Sequence, residues 1–378
     1  MIELLKKELS NGAEELMNRA LRDGAQIRDE YPLVFEERFG GSIISLEENE
    51  ETQSCCSILA REFVIGKQRV KGGLIGSVVT DPKFRSQGKG THMLIQAEAA
   101  LQIQGCAFAM LWAETPNWYL ERGYGPMSSE HTFLLSRDLV ERLPQLSEVR
   151  VMQADDAQAI HALYTRHTVR VERSLDETTA LLDCPEMLTL VCIRAERVVA
   201  YACMGRGRDL QGAVHEWGGD THDVMGLLRT FLEIAYPEGR PFETLIDPET
   251  GNEVPVAENI LLMAPPSAVD MCLRLESLGV PNMHSMLGLG KILDRPAAAQ
   301  LLSEALGDLG RVELIEGAER PFRIIGAEKQ GELDDEGVFA LLFGVPEVHQ
   351  DVRNFLRNFG LEGAQLPLEP FAWGLDSI

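Results

Sequence analysis

A glycine-bearing loop between a strand-like segment and a helical segment constrains the fold of this chain most. Residues 74–80 are apolar and β-rich, and Asp81-Pro82 ends that strand because proline has no amide proton for a sheet. Residues 88–104 then place apolar side chains at helical spacing. The apolar run at residues 106–113 is typical of a strand buried on both faces. The order strand, loop, helix, buried strand predicts a right-handed βαβ unit and an α/β fold.

The loop has the chemistry of an anion site. It contains the pattern Arg85-x-x-Gly88-x-Gly90, and glycines at alternate positions let several backbone amides approach a pyrophosphate at the positive end of a helix. Six basic residues and one acidic residue between Lys67 and Lys89 reverse the sign of a chain whose net charge is −24. A negatively charged ligand is expected here, and the alternative is an ordinary tight turn with exposed charges.

A second landmark is the aromatic segment WYLERGYGP at residues 118–126, directly after the buried strand. Together with the R-x-x-G-x-G loop, it resembles the GNAT superfamily of acetyl-CoA-dependent N-acetyltransferases. The extension Gly123-Tyr124-Gly125-Pro126 is similar, more narrowly, to the enhanced intracellular survival (Eis-type) acetyltransferases. The resemblance covers essentially the whole chain. It implies tandem GNAT-like mixed-sheet domains followed by a small α+β domain that is similar to sterol carrier proteins.

The sequence pattern itself restarts near residue 148, where strand and helix signals, a hairpin and a further helix follow one another. With the resemblance, this predicts three domains. Residues 1–148 are expected to form the acetyl-CoA-binding catalytic domain, residues 149–293 a degenerate GNAT-like domain, and residues 294–378 the sterol-carrier-like domain, whose tail reaches the active site.

The second unit lacks the phosphate-loop chemistry. Gly218-Gly219 are adjacent, and Asp220 and Asp223 replace the basic residues, so a pyrophosphate would be repelled. The stretch at residues 205–208, Gly-Arg-Gly-Arg, is either an anion-binding loop or a plain turn.

Residue roles follow from the resemblance. It implies that Tyr119 is the general acid, with core packing as the alternative reading, and that Tyr124 packs. It assigns the base to the carboxylate of Ile378; Glu114, after the buried strand, or a chain of waters are the alternatives, and a frayed terminus would remove Ile378 from the site. The predicted acetyl-CoA-binding residues are Val79, Thr80, Arg85, Gln87, Gly88, Lys89, Gly90 and Thr91.

Composition restricts the partners. The negative net charge disfavours nucleic acid and anionic membrane surfaces and favours a cationic amine acceptor: a polyamine, an aminoglycoside or an exposed lysine. Seven cysteines without a CxxC pair predict reduced thiols in a cytoplasmic protein, and no metal-ligand spacing occurs among the eight histidines. No apolar run reaches the ~20 residues of a membrane span. The resemblance implies a homo-oligomer, specifically a hexamer. The rival function is a non-catalytic acyl-CoA or lipid-binding protein.

Overall fold

The computed structural model describes residues 11–22, 26–49, 51–235, 244–246, 253–255, 259–326, 329–345 and 350–378. The fold is mixed α/β and is built on one mixed sheet of twelve strands, with a two-stranded and a three-stranded sheet beside it. The strands are β1 (Ser42–Glu48), β2 (Glu51–Ile65), β3 (Gln68–Thr80), β4 (Phe108–Leu111), β5 (Gly125–Ser136), β6 (Val149–Val151), β7 (Val169–Val171), β8 (Leu188–Arg194), β9 (Arg197–Arg206), β10 (Asp209–Gly219), β11 (Thr244–Ile246), β12 (Glu253–Pro255), β13 (Asn259–Ala264), β14 (Asn282–Ile292), β15 (Gly310–Leu314), β16 (Phe322–Gly326) and β17 (Gln330–Leu333). The helices are α1 (Asn11–Leu21), α2 (Ile27–Glu30), α3 (Pro32–Phe35), α4 (Lys89–Ile103), α5 (Pro116–Leu120), α6 (Ala157–Tyr164), α7 (Leu175–Leu182), α8 (Thr221–Ala235), α9 (Val269–Ser277), α10 (Arg295–Leu306), α11 (Asp335–Phe343) and α12 (Gln350–Phe359).

The predicted βαβ unit is confirmed as β3, α4 and β4. The two strands are parallel, and α4 buries Met93, Leu94 and Leu101 against the sheet. All four residues of β4 are buried, as the continuous apolar run predicts. Gly105 follows the helix with a φ of 82°, a conformation that glycine adopts without a steric penalty.

Strands β3 and β4 pair over a short distance and then separate. Their paired residues run from Gly72–Phe108 to Leu74–Met110, although β3 continues for six more residues. Within that extension, β3 carries a bulge against β2 and Ser77 has a φ of 48°. The separation opens a cleft between the carboxyl ends of two neighbouring parallel strands.

The large sheet crosses the predicted domain boundary at residues 148 and 149. Strand β14 lies between β4 and β5, and β5 pairs on its other side with β13. Strand β7 pairs with β2 at the other end of the molecule. Two strands from beyond residue 258 therefore complete the sheet around the cleft. The division into three domains, including the sterol-carrier-like one, stays a prediction.

The second unit has the predicted helix and strands, but the loop at Gly218 and Gly219 leaves no space for a ligand. The expected hairpin is β8 and β9, and the expected helix is α8. A Cβ on Gly219 would lie 2.6 Å from the Cβ of Ala200, and a Cβ on Gly218 would lie 2.7 Å from the ring of Tyr201. These glycines serve close strand packing.

The remaining sequence expectations concern the ends of the chain and its general character. In α1, Leu16 is buried and Ala20 is exposed. All seven cysteines are buried and unbridged. In the part of the chain described here, no helix is both long and apolar enough to cross a membrane.

Candidate functional site

The cleft between β3 and β4 has a volume of about 710 Å³. Its walls come from the separated strand ends, from β5 and β14, from the β9–β10 hairpin and from the last residues of the chain. The lining residues that carry chemistry are Glu114, Tyr119, Glu130, Asp209 and Ile378. The sequence-predicted acid and both predicted bases therefore line the same cavity.

The predicted phosphate loop lies at the N-terminus of α4. Gly88 is the N-cap with a φ of 77°, and residues 85–88 are exposed to solvent. A Cβ on Gly90 would lie 3.3 Å from Thr80 Oγ1 and 3.5 Å from the Trp118 ring, so a larger residue would crowd the approach to the helix. A fifteen-residue helix with open N-terminal amides suits an anionic ligand.

The local positive charge of the loop is partly neutralised by the acidic turn after β1. Lys83 Nζ lies 2.9 Å from Glu51, and Lys89 Nζ lies 3.7 Å from Glu48. The exposed Arg85 donates from Nε to the Thr80 carbonyl at 3.3 Å and has no acidic partner among the described residues. Arg85 is thus the loop cation best placed to pair with an added phosphate.

The predicted backbone contacts at Val79 and Thr80 sit at the rim of the cleft. The carbonyl of Val79 accepts a hydrogen bond from Ser54 Oγ at 2.8 Å. The hydroxyl oxygen of Thr80 lies 3.0 Å from Ser54 Oγ. Within β3, the residues that line the cavity are 75–78, just before them.

Arg122 fixes the first turn of α4 to the aromatic segment. Its guanidinium carbon lies 3.9 Å from the Trp118 ring centroid, and Nη1 donates to the Trp118 carbonyl at 2.5 Å. Nη2 donates to Thr91 Oγ1 at 3.0 Å. Trp118 lies on α5 and Arg122 in the turn directly after it, so the i, i+4 spacing brings the two side chains together. This role was not predicted, although the spacing is visible in the sequence.

Tyr119 is buried between aromatic neighbours and reaches the cleft. Its ring makes edge contacts with Trp118 at 4.8 Å and with Tyr124 at 5.8 Å. Burial, with a smaller contribution from Cys56, raises the pKa of Tyr119 to about 12. The phenol is therefore protonated at neutral pH and can serve as a proton donor. Tyr124 is more deeply buried, in agreement with its predicted packing role.

The chain terminus lies in the cleft against β3. A Cβ on Gly76 would lie 1.9 Å from the backbone oxygen of Ile378, so only glycine admits the terminal carboxyl group here. A glycine inside a strand is a recognised sign of close approach by another group. Gly76 is visible in the sequence as a glycine within a strand, but no close approach of another group was predicted there.

Buried charged groups hold the tail in place. The Arg206 guanidinium donates to the carbonyls of Gly374 and Ser377 at 2.7 and 2.9 Å. Arg173 Nε donates to Asp376 at 2.6 Å, and both side chains are fully buried. These contacts attach the tail to the buried Arg206 and Arg173, an arrangement that favours an attached tail over a frayed terminus. The stretch at residues 205–208 is the β9–β10 turn and its flanks, with Arg206 directed at the chain's own carbonyls, so the anion-loop alternative for it is wrong.

Two side-chain carboxyl groups that line the cleft, Glu114 and Glu130, differ in environment. Glu114 is exposed at the lip of the cleft. Glu130, on β5, is 8% exposed, and burial raises the pKa of its carboxyl group to about 7. Glu130 was missed because it sits beyond the aromatic motif, on a strand that reads as ordinary sheet.

Residues 4–127 match the family model of the acetyltransferase (GNAT) domain. No curated protein matches the chain significantly. Among the described residues, no three His, Cys, Asp or Glu side chains form a group that could hold a metal ion.

Solved structures share the fold over nearly the whole chain. A GCN5-related N-acetyltransferase from Kribbella flavida has a TM-score of 0.63 at 15% identity, covering 99% of this chain and 98% of that one. One from Anabaena variabilis has a TM-score of 0.63 at 13% identity, covering 98% and 96%. Eis1 from Mycobacterium abscessus has a TM-score of 0.57 at 14% identity, covering 98% of both chains.

Proposed function

From the match of residues 4–127 to the family model of the acetyltransferase (GNAT) domain, we propose that the protein transfers the acetyl group of acetyl-CoA directly to a primary amine on a cationic acceptor. One observation carries the proposal: Tyr119 and the carboxyl group of Ile378 line a single cleft at the point where β3 and β4 separate. An acid and a base are what amide formation from a thioester requires.

Acetyl-CoA would bind along the cleft with its pyrophosphate at the N-terminus of α4. The residues proposed to hold it are Val79, Thr80, Arg85, Gln87, Gly88, Lys89, Gly90 and Thr91. The open helix terminus and the space preserved at Gly90 support this placement. The separated strands leave backbone groups that can hydrogen-bond an extended arm and polarise the thioester carbonyl.

The chemistry needs two proton transfers. The acceptor nitrogen forms a bond to the thioester carbon and gives a proton to the Ile378 carboxylate, directly or through water. The carbon–sulfur bond then breaks, and the leaving sulfur takes the proton held at the Tyr119 oxygen. Burial of Tyr119 keeps that proton in place until negative charge develops on the sulfur. Glu114 is the alternative base.

The lining charge supports a cationic acceptor. Glu114, Glu130, Asp209 and the Ile378 carboxyl group all line the cleft. Arg22 also lines it but is engaged by Glu30 at 2.9 Å and Asp209 at 2.7 Å. An acidic cleft concentrates cations such as polyamines, aminoglycosides or lysine side chains.

Steady-state assays with acetyl-CoA and a panel of such amines test the function. Tyr119→Phe should lower kcat by about 10²-fold, the lower end of the range for loss of a general acid, while calorimetry shows unchanged coenzyme A affinity. Tyr124→Phe is the matched control and should keep its rate. Coenzyme A binding without turnover on any amine would instead establish the alternative, a non-catalytic acyl-CoA or lipid-binding protein.

Three further proposals concern the oligomeric state, the cellular location and the C-terminal domain. We propose a cytoplasmic homo-oligomer, with a hexamer as the specific expectation. We also propose that residues 294–378 form the sterol-carrier-like domain. Light scattering on the purified chain tests the oligomer, and a monomer at micromolar concentration would contradict it.

A further inference from the structure

Glu130 is a buried carboxyl group on the wall of the cleft opposite β3. It lies on β5, next to Ser285 of β14, and it is 8% exposed. The Thr132 hydroxyl donates a hydrogen bond to its Oε1 at 3.2 Å. Within the described part of the chain, no Lys, Arg or His side chain forms an ion pair with it. A buried carboxylate without a cationic partner is costly, so its position calls for a ligand that supplies the charge.

The other ionisable groups that line the cleft are already paired, exposed to solvent, neutral, or part of the proposed catalytic pair. Asp209 is already bound by Arg22 and by the Tyr31 hydroxyl. Glu114 is exposed to solvent, and the Tyr119 phenol is neutral at physiological pH. The Ile378 carboxyl group lies on the β3 side, against Gly76. Glu130 is thus the buried side-chain carboxyl group that the catalytic scheme leaves unused.

Distance across the sheet separates Glu130 from the reacting centre. The strand order β3–β4–β14–β5 places the two walls three strand spacings apart, about 14 Å between strand axes before the side chains reach inward. Apolar side chains line the span between them, including Met286, Leu287 and Leu289. This arrangement suits a molecule with an ammonium group at each end of a methylene chain.

We propose that Glu130 binds the second ammonium group of an aliphatic diamine or polyamine whose other amine is acetylated near Ile378. This inference rests on the proposed acetyltransferase function. The bound ammonium supplies the counter-ion that Glu130 lacks, and the apolar lining contacts the chain between the two nitrogens. Glu130 is then a specificity-determining residue, because a monoamine of equal length leaves its carboxylate unpaired.

The test compares diamines of graded length with monoamines of matched length, using Glu130→Gln, Glu130→Asp and the exposed control Glu304→Gln on α10. Wild type should prefer the best diamine by at least about 10-fold in kcat/KM, as expected for one charge-assisted contact of about 1.5 kcal/mol. Glu130→Gln should lose that preference by raising the diamine KM, whereas Glu304→Gln should keep the wild-type kinetics with both the diamines and the monoamines. Glu130→Asp should retain part of the preference.

A pH series provides a second readout that does not depend on the variants folding. Because burial places the pKa of Glu130 near 7, the wild-type KM for the diamine should fall as the pH rises through about 7. Turnover without a diamine preference, or an unchanged preference in Glu130→Gln, would overturn this inference alone. Absence of turnover with every amine would overturn the proposed function itself.

Discussion

The carboxyl group of Ile378 packs directly on the Cα of Gly76, so closely that a methyl group at position 76 would overlap it at 1.9 Å. Two residues separated by almost the whole chain thus fix the position of the proposed base on the strand that carries the cleft. Neither residue can change its volume or backbone path without moving the other.

Gly76→Ala should therefore displace the terminal residue and lower kcat by about 10²-fold, the effect expected of a 1 Å error in a catalytic group. Coenzyme A affinity, measured by calorimetry, should change little. Gly40→Ala is the matched control, because nothing lies within 4 Å of the Cβ position there and its φ is not positive. An active Gly76→Ala variant would remove Ile378 from the mechanism.

Arg206 holds the residues just before Ile378. Arg206→Lys removes the guanidinium Nη1 that donates to the carbonyls of Gly374 and Ser377, so we expect lower kcat and about 2 kcal/mol less stability. A double-mutant cycle with removal of the last two residues separates positioning from general destabilisation. If Arg206 positions the tail, the kcat effect of Arg206→Lys disappears in the truncated protein; a persistent effect would mean a purely structural role.

Arg122 links the phosphate loop to the aromatic segment. Arg122→Met removes the hydrogen bond to Thr91 and the cation above Trp118, so the first turn of α4 loses a support. We expect coenzyme A affinity to fall about 10-fold, the equivalent of one charge-assisted hydrogen bond. Arg142→Met, which lies outside the cleft, serves as the control. Unchanged affinity in calorimetry would show that the loop is held by other contacts.

Two histidines, the fully buried His215 and the half-buried His167, predict how stability depends on pH. Burial lowers the pKa of both His167 and His215 to about 4, although each is hydrogen-bonded to a backbone carbonyl. Between the ordinary histidine pKa of 6.5 and pH 4 the unfolded chain binds more protons than the folded one. The free energy of unfolding should therefore fall as the pH decreases through this window.

The measurement is urea unfolding at several pH values. Glu130 acts in the opposite direction, since its folded pKa is raised and its protonation favours folding as the pH falls from 7 toward 4.5. The two histidines should outweigh it, and the Glu130→Gln protein should show the steeper decline. A flat stability profile from pH 7 to pH 4 would contradict the buried neutral state of the histidines.

The sequence predicts the local structure around the cleft better than the long-range strand pairing that completes its walls. The β3–α4–β4 unit and the loop at Gly88 and Gly90 follow from patterns within residues 74–113, because periodicity, helix capping and glycine spacing are local properties. The role of Tyr119 is implied by the family resemblance and stays a prediction. Insertion of β14 beside β4 is a long-range pairing, and no local pattern at residues 282–292 specifies its neighbours.

The same limit explains the residues that were missed. Arg206 and Glu130 gain their importance from what tertiary folding brings to them, which is a chain terminus in one case and an apolar wall in the other. The role of the tail was implied by the family resemblance, and Trp373 near its end is fully buried. Its attachment to Arg173 through Asp376 depends on an ion pair between residues 203 positions apart.

The insertion of β14 makes the amino-terminal third of the molecule incomplete by itself. Expressed alone, residues 1–148 would expose two unsatisfied strand edges, on β4 and β5, where β14 belongs. The later part of the chain would therefore be indispensable even if it bound no cofactor. This part would be retained because β14 forms backbone hydrogen bonds with β4 and β5, rather than because it catalyses a reaction.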